Sequence, residues 1–303
     1  MDRLAFLCLL AGGCAIAFAP IFVRLADTGP VASAFWRCAL AVPLLWLLLL
    51  VPARTVTPAE PVIPAEAGIQ PERARVSRQT TWLLVLAGLF FAGDLGVWHW
   101  SIVWTSVANS TLLANLAPIF VTLAGWILWR QKVTRLFLLG MFLAIAGMFV
   151  LVGPNFAAGG TKLAGDALGA LTAVFYAGYF LTIKAARDAG ASTARLMAWS
   201  TTITAIALLP VALASPQAFL PSSPRGWAVL VGLALVTQIL GQGLIAYAFA
   251  HLPASLSSVS LLIQPVMAAL FAWWLFNEPV GPLQFVGGAI VLAGIWISKR
   301  ASG

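Results

Sequence analysis

The stretch "PASLSSVSLLIQPVMAALFAWWLFNEPVGPLQFVGGAIVLAGIWI", residues 253–297, contains two long apolar runs on either side of a short polar segment, 277–282. Each run has roughly the 20 residues that an α-helix needs to cross the hydrocarbon core of a bilayer. The first run has a proline near its middle, and the second is rich in glycine. The stretch therefore predicts two neighbouring transmembrane helices, at 254–276 and 281–298.

The composition extends this interpretation to the whole chain. Of its 303 residues, 61% are hydrophobic and only 9% are charged, whereas about a quarter are charged in soluble domains. The net charge of +8 comes from Lys and Arg residues that lie between apolar runs, which argues against a nucleic-acid partner. Cys8, Cys14 and Cys38 lie inside apolar runs without a CxxC pair, so neither a disulfide nor a metal site is expected. The sequence predicts an all-α polytopic membrane protein.

Charges and Pro/Gly clusters divide the chain into ten segments long enough to span a membrane. They are 4–24, 30–51, 81–103, 106–129, 134–152, 165–185, 192–213, 227–249, 254–276 and 281–298. With both termini in the cytoplasm, 13 of the 17 Lys and Arg residues fall on the cytoplasmic side, and the other side receives Arg24, Arg37, Lys162 and Arg225. Because this bias agrees with the positive-inside rule, we expect ten helices with cytoplasmic termini.

Two segments need separate interpretations. The first apolar run could pass for a signal peptide, but it is long enough to span, and Pro20 would follow the cleavage site. We therefore expect an uncleaved first transmembrane helix. The Pro- and Glu-rich stretch at 53–80 is predicted to be a flexible cytoplasmic insertion.

An internal repeat defines the architecture. A shift of 147 residues aligns 92–150 with 239–297 without a gap. The matched pairs include Gly96 with Gly243, Ser110 with Ser257, Pro118 with Pro265, Trp126 with Trp273, Val133 with Val280, Leu136 with Leu283, Gly140 with Gly287, and Gly147 with Gly294. Each half, 1–152 and 153–303, then holds five spans, and since five is odd the halves cross the membrane in opposite senses. Inverted repeats of this kind recur in secondary transporters, with the substrate site near the midplane.

The residues resemble a known family. "SVANSTLLANLAPIFVTLAGWILW" (106–129) and the stretch at 253–297 look like the two copies of the EamA domain of the drug/metabolite transporter superfamily, with a Ser/Thr-rich entry, a mid-helix proline, an aromatic end and a glycine-containing last helix. The resemblance implies a ten-helix exporter of amino acids or other metabolites, including aromatic amino acids, in a bacterial inner membrane. The first copy departs from the pattern, since Gln131 stands where the second copy has Glu278.

Polar and aromatic residues converge on the predicted midplane, which lies roughly ten residues from either end of a span. The segment "GDLGVWHW" (93–100) contributes an aspartate that would cost on the order of 3 kcal/mol or more if charged in the membrane. The candidate substrate-binding residues near this level are Asp94, Asn115, Tyr176, Gln238 and Gln264, with Trp98, His99, Tyr179 and Gln242 a little further outward. Such groups suit a small zwitterion or aromatic metabolite.

Each of these residues also has a structural alternative. Asp94 could simply hydrogen-bond a neighbouring helix, and His99 could lie at the membrane interface. Asn115 and Gln264 could satisfy carbonyls freed by Pro118 and Pro265. These prolines are predicted to mark bends in their helices. Two pairs of glycines, each seven residues apart, are predicted to form packing grooves; they are Gly140 with Gly147 and Gly287 with Gly294.

No catalytic signature is present. The sequence has no GxSxG, HExxH or Walker loop and only two histidines, so we expect no enzyme activity, cofactor or metal. We predict a secondary transporter that exports small metabolites, with neutral or aromatic amino acids as the favoured class. Two alternatives are an exporter of lipophilic cations with Asp94 as counter-charge and a non-transporting membrane scaffold. The expected partners are a small-molecule substrate and the lipid bilayer. The sequence leaves the oligomeric state open and is compatible with a monomer.

Overall fold

The computed structural model describes residues 2–50, 78–105, 107–152 and 163–302. Within these ranges all regular secondary structure is helical, and short turns connect the helices. Ten helical segments there are long and apolar enough to cross a membrane, which confirms the predicted number. The predicted insertion at 53–80 lies outside the described residues up to position 77. Its last residues belong instead to the third span, whose helix begins at Arg78.

Six spans are single helices, and four are divided. The single helices are α3 (Pro30–Leu50), α4 (Arg78–Trp104), α7 (Arg135–Val152), α8 (Leu163–Asp188), α9 (Thr193–Ala214) and α14 (Pro282–Ala301). The first, fourth and ninth spans are the pairs α1 (Arg3–Ile16) with α2 (Ala19–Leu25), α5 (Val107–Ala114) with α6 (Ala117–Trp129), and α12 (Ala254–Ser260) with α13 (Ile263–Phe276). The eighth span joins α10 (Pro224–Gly232) to α11 (Gln242–His251) through a π-helical segment, Leu233–Gly241.

Each of the three breaks between paired helices lies just before a proline. The chain turns at Ala17–Phe18 ahead of Pro20, and at the residues directly preceding α6 and α13 ahead of Pro118 and Pro265. Proline has no backbone N–H, and its ring collides with the carbonyl four residues earlier, so a helix is interrupted on the N-terminal side of the proline. The interruptions at Pro118 and Pro265 lie at repeat-related positions.

The last helices of the two halves, α7 and α14, make the closest helix pair. A Cβ atom added to Gly147 would lie 2.8 Å from the carbonyl oxygen of Gly287, and one added to Gly294 would lie 2.6 Å from that of Gly140. All four glycines therefore lie where the two backbones touch. Close backbone approach of this kind is a main source of helix association in lipid.

Because the described residues contain an even number of spans, ten, the two ends of this helical bundle lie on one side, which we call the termini side. The half of the molecule near this side is densely packed: Phe180 stacks on Phe249 with ring centroids 5.0 Å apart, and Leu9, Leu256 and Val259 are fully buried. On the opposite side, the Asp27 carboxylate accepts hydrogen bonds from the backbone and hydroxyl of Ser222 and from the hydroxyl of Ser223. This cluster ties the α2–α3 turn to the start of α10.

Candidate functional site

A cavity of about 510 Å³ lies between the two halves. The first half contributes α1 to α5 to its walls, and the second half contributes α8, the π-helical segment, α11 and α13. The cavity extends from the middle of the spans toward the side opposite the termini. Its polar and aromatic lining residues are Arg24, Arg37, Phe91, Asp94, Trp98, His99, Thr111, Asn115, Thr172, Tyr176, Gln242 and Gln264.

Seven of the nine predicted substrate-binding residues line this cavity; they are Asp94, Trp98, His99, Asn115, Tyr176, Gln242 and Gln264. Tyr179 and Gln238 are not among the lining residues. Tyr179 stacks on Phe91 with ring centroids 4.5 Å apart, and its hydroxyl lies 3.4 Å from Oε1 of Gln242. Gln238 accepts a hydrogen bond from the lining residue Arg37. The side chains of Tyr179 and Gln238 are thus directed into the packing between helices, where they contact lining residues but do not face the cavity.

Asp94 lies in the middle of α4 and is 9% exposed. Within the described residues its carboxylate makes no hydrogen bond or ion pair with another side chain. The alternative that Asp94 merely bonds a neighbouring helix therefore has no contact to support it there. A carboxylate that lines a cavity without a partner is available to a ligand or a proton.

Arg37 was counted among the basic residues outside the membrane, and the structure corrects that placement. It lies seven residues into α3, so roughly 10 Å from the helix start, and it is 7% exposed and lines the cavity. The positive-inside count assigns every Lys and Arg to one side of the membrane, although Arg37 falls inside the predicted span 30–51. Removing Arg37 from the side opposite the termini strengthens the charge bias to 13 residues against 3.

The Arg37 guanidinium is held by groups from both halves. Its Nε donates to Oε1 of Gln238 over 2.9 Å, and Nε2 of the same amide donates to the hydroxyl of Thr201 over 3.0 Å. The guanidinium also lies over the ring of Phe91, 5.6 Å from the centroid. Arg37 and Asp94 do not form an ion pair within 4.0 Å, although both line the same cavity.

The remaining lining residues give the cavity an amphipathic wall. The His99 ring donates from Nδ1 to the Leu95 carbonyl and lies edge-on to the Trp98 ring with ring centroids 5.0 Å apart, and His99 is buried within the protein and lines the cavity. The Asn115 amide donates to the carbonyl of Thr111 over 2.8 Å, a carbonyl that also accepts the Asn115 backbone N–H and so is not one freed by Pro118, and Asn115 lines the cavity. Nε2 of Gln264 lies 3.4 Å from the Tyr176 hydroxyl.

Side-chain contacts connect the first and ninth spans at the mouth of the cavity. Arg24, at the end of α2, forms an ion pair with Glu278 and lies over the ring of Phe276, 4.4 Å from the centroid. Deeper along the same helices, Phe18 stacks on Phe271 with ring centroids 4.0 Å apart. Both contacts connect the first half to the second. Glu278 has therefore a specific partner, although both charges are about half exposed.

No group of three or more His, Cys, Asp or Glu residues that could hold a metal ion occurs in the part of the chain that the structure describes. The three cysteines are free. The chemistry that the cavity offers is therefore that of the two buried opposite charges, Arg37 and Asp94, with Arg24 at the mouth, several amides and aromatic rings. Such groups recognise a ligand by charge, hydrogen bonding and stacking.

Comparison with known proteins agrees with this architecture. The chain is 26% identical over 229 residues to the pseudopaline exporter CntI of Pseudomonas aeruginosa, covering 75% of this chain and 78% of that protein. It is 28% identical over 205 residues to a probable terminal-alkyne amino-acid exporter of Streptantibioticus cattleyicolor, covering 67% of each chain. A solved crystal structure with 16% sequence identity shares the fold, with a TM-score of 0.77 over 98% of each chain.

The family itself is shown by two matches along the chain. Residues 3–153 and residues 163–299 each match the EamA-like transporter family. These matches cover nearly all ten spans and agree with the internal repeat. The protein is a multi-pass membrane transporter, and its chain belongs to the EamA-like transporter family.

Proposed function

We propose that this transporter exports small zwitterionic metabolites, with neutral and aromatic amino acids as the favoured class. The observation that carries the proposal is the pair of opposite charges, Arg37 and Asp94, which line one cavity without contacting each other. An α-amino acid presents a carboxylate and an ammonium group that match these two charges. The rings of Phe91, Trp98 and Tyr176 line the same cavity and offer surfaces for an apolar or aromatic side chain.

The named relatives support the direction and the substrate class. Two of them are described as exporters, and one of these as a probable exporter of an amino acid. We infer export across a bacterial inner membrane with both termini in the cytoplasm, which the charge bias favours. In that orientation the cavity extends toward the periplasm, and the packed half with Phe180 and Phe249 separates it from the cytoplasm.

Transport then requires the packed half to open while the mouth closes. We infer that the halves 1–152 and 153–303 rock against each other, since the cavity and the Arg24–Glu278 contact both lie between them. The interrupted spans at Pro118 and Pro265 supply positions where a helix can bend at repeat-related sites. This is an alternating-access mechanism.

The lipophilic-cation alternative meets an obstacle in the same cavity. Asp94 would serve as its counter-charge, but the buried guanidinium of Arg37 also lines the cavity and would repel a permanent cation. A zwitterion meets both charges favourably. The structure therefore favours the amino-acid class over the cation class.

The decisive experiment is uptake of labelled neutral and aromatic amino acids into liposomes containing the purified protein, with and without a pH gradient. We expect wild-type protein to transport them and a proton gradient to drive accumulation, since Asp94 is the cavity carboxylate that can carry a proton. Asp94→Asn should lose the gradient dependence. Arg225→Gln is a matched control, because this exposed residue at the start of α10 lies outside the cavity lining.

Transport of amino acids that Asp94→Asn leaves fully gradient-dependent would remove Asp94 from the coupling step. Absence of transport by folded wild-type protein across the amino-acid panel would reject the proposed substrate class. If lipophilic cations were then transported, the alternative with Asp94 as counter-charge would replace it.

A further inference from the structure

The arginine in the cavity wall has more hydrogen-bonding capacity than the protein uses. A guanidinium has five N–H donors in a planar fork, and among the described residues only the Nε donor of Arg37 has a side-chain acceptor, Oε1 of Gln238. Its Nη2 atom is buried and makes no hydrogen bond within the described residues. Leaving a buried charged donor without an acceptor is costly, so the site is incomplete as it stands.

The geometry leaves one edge of the fork for a ligand. Because Gln238 occupies Nε, the two η nitrogens form the remaining edge. This edge matches the two oxygens of a carboxylate, which an arginine binds through two parallel hydrogen bonds. Among the described residues, Asp94 is the one carboxylate that lines the cavity, and it does not lie within 4.0 Å of Arg37.

The orientation of the fork is fixed from the second half of the molecule. Gln238 lies in the π-helical segment of the eighth span, and its amide is itself held by the hydroxyl of Thr201 on α9. Since Thr201 accepts the amide N–H, the Gln238 oxygen is directed to Arg37. Gln238 and Thr201 are fully buried and thus act on a ligand only through the arginine.

We propose that Arg37 is a carboxylate-binding subsite, and that Gln238 is the residue that positions it, so that the transporter selects amino acids over the corresponding amines. This inference rests on the proposed export function and specifies which end of the substrate Arg37 binds. The Asp94 carboxylate, which lines the same cavity, then receives the ammonium end. Removing either charged end of the substrate should therefore weaken binding.

The test measures equilibrium binding of tritiated L-phenylalanine to the full-length protein in lipid nanodiscs. The competitors are phenethylamine, which lacks the carboxylate, and 3-phenylpropionate, which lacks the ammonium group. We expect wild-type protein to bind phenethylamine about 10- to 100-fold more weakly than phenylalanine, the range for losing a charge-assisted pair of hydrogen bonds. Arg37→Gln should weaken phenylalanine binding by a similar factor and leave phenethylamine binding as strong as before or stronger, since the guanidinium repels a cation.

The positioning role is read from the ratio of the two affinities. Gln238→Leu keeps the charge of Arg37 but removes the hydrogen bond that fixes the orientation of its guanidinium. We therefore expect the preference for phenylalanine over phenethylamine to fall, though less than in Arg37→Gln. Thr201→Val should give a smaller change in the same direction. Thr182→Val is the matched control, because within the described residues the Thr182 hydroxyl bonds the Gly178 carbonyl of its own helix and no other group. A merely structural effect would weaken both ligands equally.

Three results would overturn the proposal: equal affinity of wild-type protein for phenylalanine and phenethylamine, no binding of any of the three probes, or an Arg37→Gln variant that weakens both ligands alike. If Arg37→Gln does not fold, Gln238→Leu and Arg37→Lys decide the question, since Lys retains the charge without the fork. The binding assay needs no transport. Selective binding of phenylalanine without its uptake into liposomes would uphold the subsite and reject export. Equal uptake of phenylalanine and phenethylamine would uphold transport and reject the subsite.

Discussion

Asp27 illustrates how single side chains stabilise the side opposite the termini. The hydroxyl of Ser222 donates to its carboxylate over 2.8 Å and, with further bonds from Ser223 and the Ser222 backbone, lowers the pKa of Asp27 below its ordinary value. A lowered carboxyl pKa contributes stability above the unfolded-state pKa, about 3.9, and this contribution is lost as the pH falls through the folded-state pKa. The Asp27 cluster should therefore be sensitive to acid.

We expect Asp27→Asn to lower the thermal unfolding midpoint of detergent-solubilised protein at pH 7, with the difference from wild type shrinking below about pH 4. Unfolding curves of both proteins between pH 7 and pH 3 measure this. In a Ser222→Ala background most of the pH-dependent difference should disappear, because the largest stabilising bond is already absent. A difference of equal size at pH 7 and pH 3 would contradict this account.

Residues also show where sequence reasoning succeeds and where it fails. The polar residues near the midplane were found by counting along helices, because a fixed rise per residue converts sequence position into depth. Arg37 is not among the predicted site residues because the charge count places every basic residue on one side of the membrane, although the count along the helix puts Arg37 about 10 Å into α3. Gln238 and Tyr179 were taken for lining residues because depth alone does not determine which way a side chain is directed.

At the scale of the helix, the α7–α14 pair depends on the absence of side chains. A Cβ atom at position 294 would lie 2.4 Å from the backbone nitrogen of Ala144, so the two helices would have to separate. We expect Gly294→Ala to destabilise the protein by about 1–3 kcal/mol, the usual cost of overpacking. Thermal unfolding in detergent would measure it.

Gly243 provides a matched control for this prediction. It also lies within a membrane-spanning helix, α11, but an added Cβ atom would meet nothing within 4 Å. Gly243→Ala should be neutral or stabilising by up to about 1 kcal/mol, since alanine favours the helix. Equal destabilisation by the two substitutions would show that close packing of α7 on α14 is not the cause.

The helices themselves were largely predictable, and their irregularities were not. Runs of apolar residues bounded by charge gave all ten spans, because the bilayer sets both the length and the hydrophobicity of a span. The π-helical turns at Leu233–Gly241 carry no proline or other local signal in the sequence. Such turns are selected by packing against neighbouring helices, which a single sequence does not reveal.

At the scale of the whole molecule, the proposed orientation can be tested by labelling single cysteines. In a variant with Cys8, Cys14 and Cys38 replaced by alanine, we expect Arg225→Cys to react with a membrane-impermeant maleimide in intact cells. Lys132→Cys, on the termini side, should react only after the membrane is disrupted. Both positions are exposed, so labelling differs only through the side of the membrane, and the reverse pattern would invert the topology.

The π-helical segment has a consequence for the energy of the transport cycle. If the two halves were identical, exchanging their conformations would convert the state that faces one side of the membrane into the state that faces the other. The two states would then be equally populated without a gradient. Here the first half supplies the charges, Arg37 and Asp94, and in the part of the chain that the structure describes the π-helical turns occur in the second half alone. We therefore expect the two facing states of the empty carrier to differ in energy, while the gradients alone decide the direction of net flow.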